Sequence, residues 1–153
     1  MQRHSGFTII ELLITMAIIA ILASVALPSY TAYITRSKVA QATSNLLTMR
    51  TKMEQYFQDN RQYVGACVDG TVAALPPAWK SGDASGKLEY FDITCDIPAP
   101  LPHLYTVTAT GKGDLNGMVL TIDQANLRKT TSVPTGWTLP SGNCWALKKS
   151  GDC

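Results

Sequence analysis

A run of 21 residues from Phe7 to Leu27 contains a single charged side chain, Glu11, and limits what this 153-residue chain can fold into. As an α-helix the run would be about 31 Å long, which matches the hydrocarbon thickness of a bilayer. Its twelve Phe, Ile, Leu and Val residues contribute roughly −5 kcal/mol to insertion, and the carboxylate opposes it by about 3 kcal/mol. We therefore predict a helix that spans the membrane despite Glu11.

The residues around this run do not fit a cleaved secretory signal peptide. The apolar stretch is too long for the hydrophobic region of such a peptide, and no A-x-A cleavage site follows it. Arg3 precedes the run, and the next basic residues are Arg36 and Lys38. This asymmetry favours a single-pass topology with the amino end in the cytoplasm.

All four cysteines lie beyond the apolar run, at positions 67, 95, 144 and 153. None of them has the C-x-x-C spacing of a zinc or redox site. An even number outside a membrane anchor is typical of two disulfide bonds in an oxidising compartment. Three pairings are open; we favour Cys67–Cys95 and Cys144–Cys153, because each closes a short loop and would stabilise the fold by about 3 kcal/mol.

The helix is predicted to continue beyond the membrane as an amphipathic half over residues 29–58. Apolar or small residues recur there at steps of three to four, and this stripe would cover a sheet. The stripe consists of Val39, Thr43, Leu46, Met49 or Arg50, Met53 and Phe57. Pro28 lies between the two halves and removes one backbone hydrogen bond, so we predict a kink there.

Strand signals follow a long irregular connection. Residues 59–87 are rich in Gly, Pro, Ala and Ser and read as a loop. Alternating or β-branched stretches then predict strands at 88–94, 104–110, 118–124 and 128–133. The order of elements predicts an α+β fold, in which an antiparallel sheet of three to four strands packs on the second half of the helix. The sheet and a cysteine-closed tail would occupy residues 88–153.

The sequence offers little for catalysis or metal binding. His4 and His103 are the two histidines, and no nucleophile elbow, phosphate loop or zinc helix motif is present. "GKGDLNG" has Lys112 where a calcium loop needs its first oxygen ligand, so it is better read as a hairpin turn. We therefore predict no enzyme activity, no cofactor and no metal.

Four basic residues near the carboxyl terminus accompany Trp137 and Trp145. On an exposed face such residues could contact DNA phosphates, with aromatic stacking beside them. The alternative, which we favour, is a solvated rim beside buried tryptophans, since Asp114, Asp123 and Asp152 dilute the positive field and the net charge is only +2. The basic residues are Arg128, Lys129, Lys148 and Lys149.

"GFTIIELL" at residues 6–13 resembles the type IV prepilin signature, in which a short basic leader ends in glycine and an acid follows four residues after an aromatic residue. The resemblance implies that a prepilin peptidase removes the leader, residues 1–6, by cutting between Gly6 and Phe7. It also implies methylation of the new amino group on Phe7. Pro28 lies where pilins of this family carry a helix-bending proline.

The strands and the tail "NCWALKKSGDC" also resemble the type IV pilins, most closely the minor pilins of the type IVa system. The resemblance implies a pilin fold, an apolar half-helix at 7–28 and a globular domain at 29–153. It implies storage in the bacterial inner membrane, then a place in a cell-surface pilus that serves adhesion, twitching motility and DNA uptake. The implied partners are other pilin subunits, the peptidase and the inner-membrane assembly platform.

This resemblance gives Glu11 a physical role. Cleavage would place an ammonium group on Phe7, and the carboxylate of a neighbouring subunit could pair with it in the filament. Breaking a buried pair costs about 3–5 kcal/mol, so the pair would set the register between subunits. The simpler alternative is that Glu11 only caps its own helix.

Alternative functions stay open at this point. A type II secretion pseudopilin has the same amino terminus, although the two cysteine pairs and the closed tail count against it. A DNA-binding minor pilin for competence is a second alternative. A membrane-anchored enzyme is the least favoured, since the chain offers no catalytic groups.

Overall fold

The computed structural model describes residues 7–67 and 88–153. The predicted leader, with Gly6, and most of the predicted connection at 59–87 lie outside these residues. A long helix, α1, runs from Ile9 to Asn60. The chain divides into two compact units, the first ending at Thr35 and the second beginning at Arg36, and each is described by itself.

The first unit contains the apolar part of α1 and its continuation to Thr35. All twelve Phe, Ile, Leu and Val side chains from Phe7 to Leu27 are at least half exposed, from 52% at Ile18 to 85% at Phe7. Among the described residues, α1 is the one helix long and apolar enough to cross a membrane. It extends across Pro28 as one assigned helix; the kink predicted there stays a prediction.

The second unit contains the second half of α1 and a four-stranded antiparallel sheet in the order β1-β2-β3-β4. The α+β architecture predicted from the sequence is confirmed. The strand ends differ from the predicted ones by up to three residues. The strands are β1 at Phe91–Asp96, β2 at Thr106–Gly111, β3 at Val119–Asp123 and β4 at Arg128–Ser132.

The core lies between α1 and one face of the sheet. Because side chains alternate along a strand, every second residue points to the helix; Ile93, Ala109, Leu120 and Thr130 are in register across the four strands. The helix meets this face with Val39, Ala42, Leu46, Met49 and Met53, all buried. The predicted stripe is therefore confirmed with one change. The sequence pattern placed Thr43 in the stripe, but Thr43 is half-buried, and the neighbouring Ala42 is the residue that is buried against the sheet.

Two covalent links close the second unit. The disulfide bonds are Cys67–Cys95 and Cys144–Cys153, the two pairs that the short-loop argument favours. The first joins the segment after α1 to β1. The second closes the tail, which lies on the helix-facing side of β3 and β4 and is tied there by the Thr130 hydroxyl.

The β2–β3 connection depends on one glycine. A short 3-10 turn at Gly113–Leu115 buries Leu115 beneath the connection. A Cβ atom at Gly111 would overlap the Leu115 carbonyl oxygen, so a side chain there would force the backbone apart. The predicted hairpin turn is thus present, and glycine is required where the turn leaves β2.

Candidate functional site

The amino-terminal end of α1 is closed by Thr8 and Glu11. The Thr8 backbone N–H and hydroxyl donate to Glu11 Oε2 at 3.0 and 2.8 Å, and the Glu11 backbone N–H donates to the Thr8 hydroxyl at 3.3 Å. This reciprocal arrangement is a capping box, with Thr8 as the cap and Glu11 at the third helical position. Within one chain, the structure therefore contains the self-capping alternative.

The helix cap does not use all the hydrogen-bond acceptor sites of the Glu11 carboxylate. Both bonds from Thr8 are accepted by Oε2, whereas an ionised carboxylate has two oxygens and about four acceptor sites. Glu11 therefore has acceptor capacity beyond its own cap. Phe7, which would carry the new ammonium group, adjoins Thr8 and is 85% exposed.

The structure separates two of the four basic residues proposed to contact DNA. Arg128 lies with the helix-facing residues of β4, and its guanidinium is 5.1 Å from the centre of the Trp145 ring. Lys129 pairs in register with Thr121 on the opposite face of the sheet. Because strand residues alternate between faces, these two cations lie on opposite faces of the sheet.

Lys148 and Lys149 lie in the exposed, disulfide-closed tail. The Lys148 ammonium is 3.5 Å from the Asp152 carboxylate. The Ser150 hydroxyl, which donates to Asp152 at 2.8 Å, and Lys148 together hold the pKa of Asp152 below its ordinary value. The Lys149 carbonyl accepts a backbone hydrogen bond from Thr138 at 2.8 Å, which ties this part of the tail to the segment after Trp137.

Trp145 is a structural residue. It is 7% exposed, and its indole Nε1 donates to the Thr121 carbonyl at 2.9 Å. Arg128 stands over the ring and lines, with Leu47, Asn143 and Leu147, an open pocket of about 390 Å³. The Trp145 ring is therefore not free to stack on a base, and the buried-tryptophan alternative describes it correctly.

Two polar groups that stabilise the second unit were not predicted from the sequence. Glu54 accepts hydrogen bonds from the Tyr63 and Tyr105 hydroxyls, each at 3.2 Å. Burial and the Glu54 charge raise the pKa of Tyr63 to about 12 and raise the pKa of Tyr105 as well. Tyr105 is 51 residues from Glu54 along the chain, and no local pattern brings the two tyrosines to one carboxylate.

Lys38 is the second of these groups. Its ammonium bonds the Asp114 carboxylate at 3.1 Å and lies 4.5 Å above the centre of the Tyr90 ring. It therefore connects α1 to the β2–β3 turn and to the residue before β1. The Lys38 side chain is 17% exposed and the Asp114 side chain 85% exposed, so solvent screens the ion pair and leaves it worth at most about 1 kcal/mol.

Comparison with known proteins gives matches over most of the chain. The family model "Prokaryotic N-terminal methylation motif" matches residues 1–27. The model "Type IV minor pilin ComP, DNA uptake sequence receptor" matches residues 28–118. This second range ends before the basic residues of β4 and the tail.

The relatives found are fimbrial proteins. A "Fimbrial protein" of Pseudomonas aeruginosa is 29% identical over 143 residues, covering 90% of this chain and 92% of its own. A "Probable minor fimbrial protein" of Dichelobacter nodosus is 33% identical over 117 residues, 72% of each chain. A "Type IV major fimbrial protein FimA" of the same organism is 46% identical over 67 residues, 44% of this chain and 42% of its own. No solved structure matches significantly.

Proposed function

This chain belongs to the type IV pilin family as a minor pilin, and from that premise we propose that Glu11 joins it to neighbouring subunits through their amino termini. The apolar half of α1 holds the chain in the inner membrane and then in the filament. Pilin relatives favour this assignment over a secretion pseudopilin. The partners are other pilins, the prepilin peptidase and the assembly platform.

The observation that carries the proposed placement in membrane and filament is the exposure of the apolar half of α1. At least half of each of its twelve large apolar side chains is uncovered in the single chain. Burying them is worth roughly 1–2 kcal/mol each, so the segment needs lipid or other helices around it. A bilayer satisfies this need before assembly, and a core of packed apolar helices satisfies it afterwards.

Glu11 adds direction to this otherwise uniform surface. Apolar packing alone would allow neighbouring helices to slide along one another, since dispersion contacts are nondirectional. A carboxylate that meets an ammonium group inside apolar surroundings allows one register, because an unpaired charge there is strongly unfavourable. The free capacity of the capped carboxylate supports this role.

Processing can be tested directly. We expect the chain recovered from sheared pili to begin at Phe7 and to carry one added methyl group, as read by intact-mass spectrometry. Gly6→Val should abolish cleavage, because a branched side chain at the cut site does not fit a peptidase that accepts glycine. Ser5→Ala is the matched control and should be processed. A Gly6→Val chain that still begins at Phe7 would contradict the proposal.

DNA binding is the second candidate function. It is favoured by the match to a family described as a DNA uptake sequence receptor, and Lys148 and Lys149 are exposed cations in a covalently closed tail. We expect the detergent-solubilised full-length chain to bind duplex DNA with salt-dependent affinity. Replacing both lysines by alanine should lower the slope of log K against log salt by up to about 2, roughly one per lost phosphate contact.

Lys52→Ala, which removes a cation from α1, is the control for that experiment. It should leave the slope unchanged if the tail makes the contact. If Lys52→Ala lowered the slope as much as the double tail variant does, the effect would be one of overall charge. If the double tail variant left the slope unchanged, Lys148 and Lys149 would be excluded as DNA contacts. Arg128→Gln tests the cation over the Trp145 ring, in a pocket that is lined by residues of the same tail. A lower slope in this variant would add Arg128 to the contact made by the tail lysines.

A further inference from the structure

Two exposed aromatic rings follow the apolar segment. Tyr30 and Tyr33 are 65% and 70% exposed and lie three and six residues beyond Leu27, the last residue of the apolar run. Residues three apart on a helix share a face, so the two phenols form one aromatic edge within the first unit. A water-exposed pair of this kind has no role in the packing of the single chain.

The chemistry of tyrosine suits a particular layer of the membrane. Its ring is apolar and its hydroxyl is polar, and tyrosine is enriched where hydrocarbon gives way to headgroups. We propose that Tyr30 and Tyr33 bind the phospholipid headgroup layer on the periplasmic side of the inner membrane and thereby fix the depth of α1. This inference rests on the proposed membrane storage of the helix.

The spacing to Glu11 supports a depth-setting role. Tyr30 lies nineteen positions after Glu11 along α1, which corresponds to about 28 Å of helix. The hydrocarbon layer is about 30 Å thick. With Tyr30 at one boundary, the Glu11 carboxylate therefore reaches the other boundary, where it can stay ionised in contact with water.

Without the tyrosines the helix would settle differently. Centring the run from Phe7 to Leu27 in the bilayer places Ala17 at the middle and Glu11 only about 9 Å from it. Anchoring Tyr30 at the boundary moves the midpoint to residue 20 and Glu11 to about 13 Å from it. A shift of about 4 Å towards the cytoplasmic surface removes much of the cost of a charge in the hydrocarbon.

Depth-dependent fluorescence quenching tests the location. The full-length chain is reconstituted into phosphatidylglycerol vesicles containing phosphatidylcholine brominated at acyl carbons 6,7, 9,10 or 11,12. For Tyr30→Trp we expect the strongest quenching from the shallowest bromines. The control is Leu22→Trp, which lies about 3 Å from the proposed midpoint. For this variant we expect the strongest quenching from the deepest bromines. The unmodified chain gives the background of the three native tryptophans.

A second variant tests whether the tyrosines set the depth or only lie there. Adding Tyr30→Ser and Tyr33→Ser to Leu22→Trp should move that probe outward by about 4 Å, so that quenching by the 9,10 bromines becomes strongest. An unchanged profile would overturn the inference. The inference would also be overturned if the tryptophan of Tyr30→Trp were not quenched while that of Leu22→Trp was quenched by the deepest bromines. If Leu22→Trp is itself unquenched, the helix does not insert and the membrane proposal fails with it.

Discussion

Replacing Glu11 separates the two roles that its position allows. In Glu11→Ala the self-cap and the proposed bond to a neighbouring subunit are both lost. In Thr8→Val the hydroxyl that donates to Oε2 at 2.8 Å and accepts from the Glu11 N–H at 3.3 Å is removed, but the carboxylate stays. The difference between the variants isolates the contribution of the charge to assembly.

The expected magnitudes differ enough to be measured. Loss of a helix cap costs about 1 kcal/mol, which is roughly a fivefold change in an equilibrium. Leaving one partner of a buried ion pair unpaired costs about 3–5 kcal/mol, which is at least about a hundredfold. Thr8→Val should therefore reduce incorporation by about fivefold at most, and Glu11→Ala should nearly abolish it.

The assay is the amount of this chain in sheared pili relative to the amount in the membrane fraction, measured by quantitative immunoblot. Both variants should be cleaved at the same rate as the unmodified chain, which intact-mass spectrometry checks. Equal losses of about fivefold in the two variants would refute the reasoning, since capping alone would then explain Glu11.

Three further predictions concern the second unit, whose stability can be measured by thermal or urea unfolding. Gly111→Ala should lower the free energy of unfolding by several kcal/mol, because its Cβ would overlap the Leu115 carbonyl oxygen. Gly142→Ala is the control and should change the free energy of unfolding little, because the added atom there meets open space. Removing the Cys144–Cys153 bond by a double serine replacement should cost about 2–3 kcal/mol, and unchanged melting would show that the tail is held by other contacts. The pKa of Tyr63 is raised to about 12 from its ordinary 10.0, so the unfolded chain loses this proton at a lower pH than the folded chain does. We therefore expect the free energy of unfolding to be highest below pH 10 and to decline as the pH rises towards 12. The decline should be shallower in Tyr63→Phe, and an identical pH profile would contradict the assignment.

The elements with a local pattern were predictable. The apolar run, the helical stripe from Val39 to Phe57 and the alternation of the strands each follow from a repeat in the sequence itself. The strand ends were less well predicted because pairing decides them. β1 was expected at 88–94, but its residues run from Phe91, opposite Gly111, to Asp96, opposite Thr106, and the extent of β2 is not visible from within β1.

The candidate sites divide in the same way. Glu11 is conspicuous in the sequence because it is a carboxylate in an apolar run. Thr8, three residues before it, forms with it the T-x-x-E spacing of a capping box, and this signal could have predicted the cap. The separation of Arg128 from Lys129 follows from strand alternation and could have been predicted. The cluster of Glu54, Tyr63 and Tyr105 could not have been predicted, since the two tyrosines reach one carboxylate only through the packing of α1 against the sheet.

The central claim is that Glu11 pairs with the amino terminus of another subunit. The most direct test treats intact pili with a carbodiimide, which joins a carboxylate to an amine in contact without a spacer, and sequences the linked peptides. We expect a bond between Glu11 of this chain and the first residue of a neighbouring pilin, with isotope-mixed subunits showing that two molecules are joined. A Glu11 that is linked only within its own chain, or to no amine at all, would contradict it.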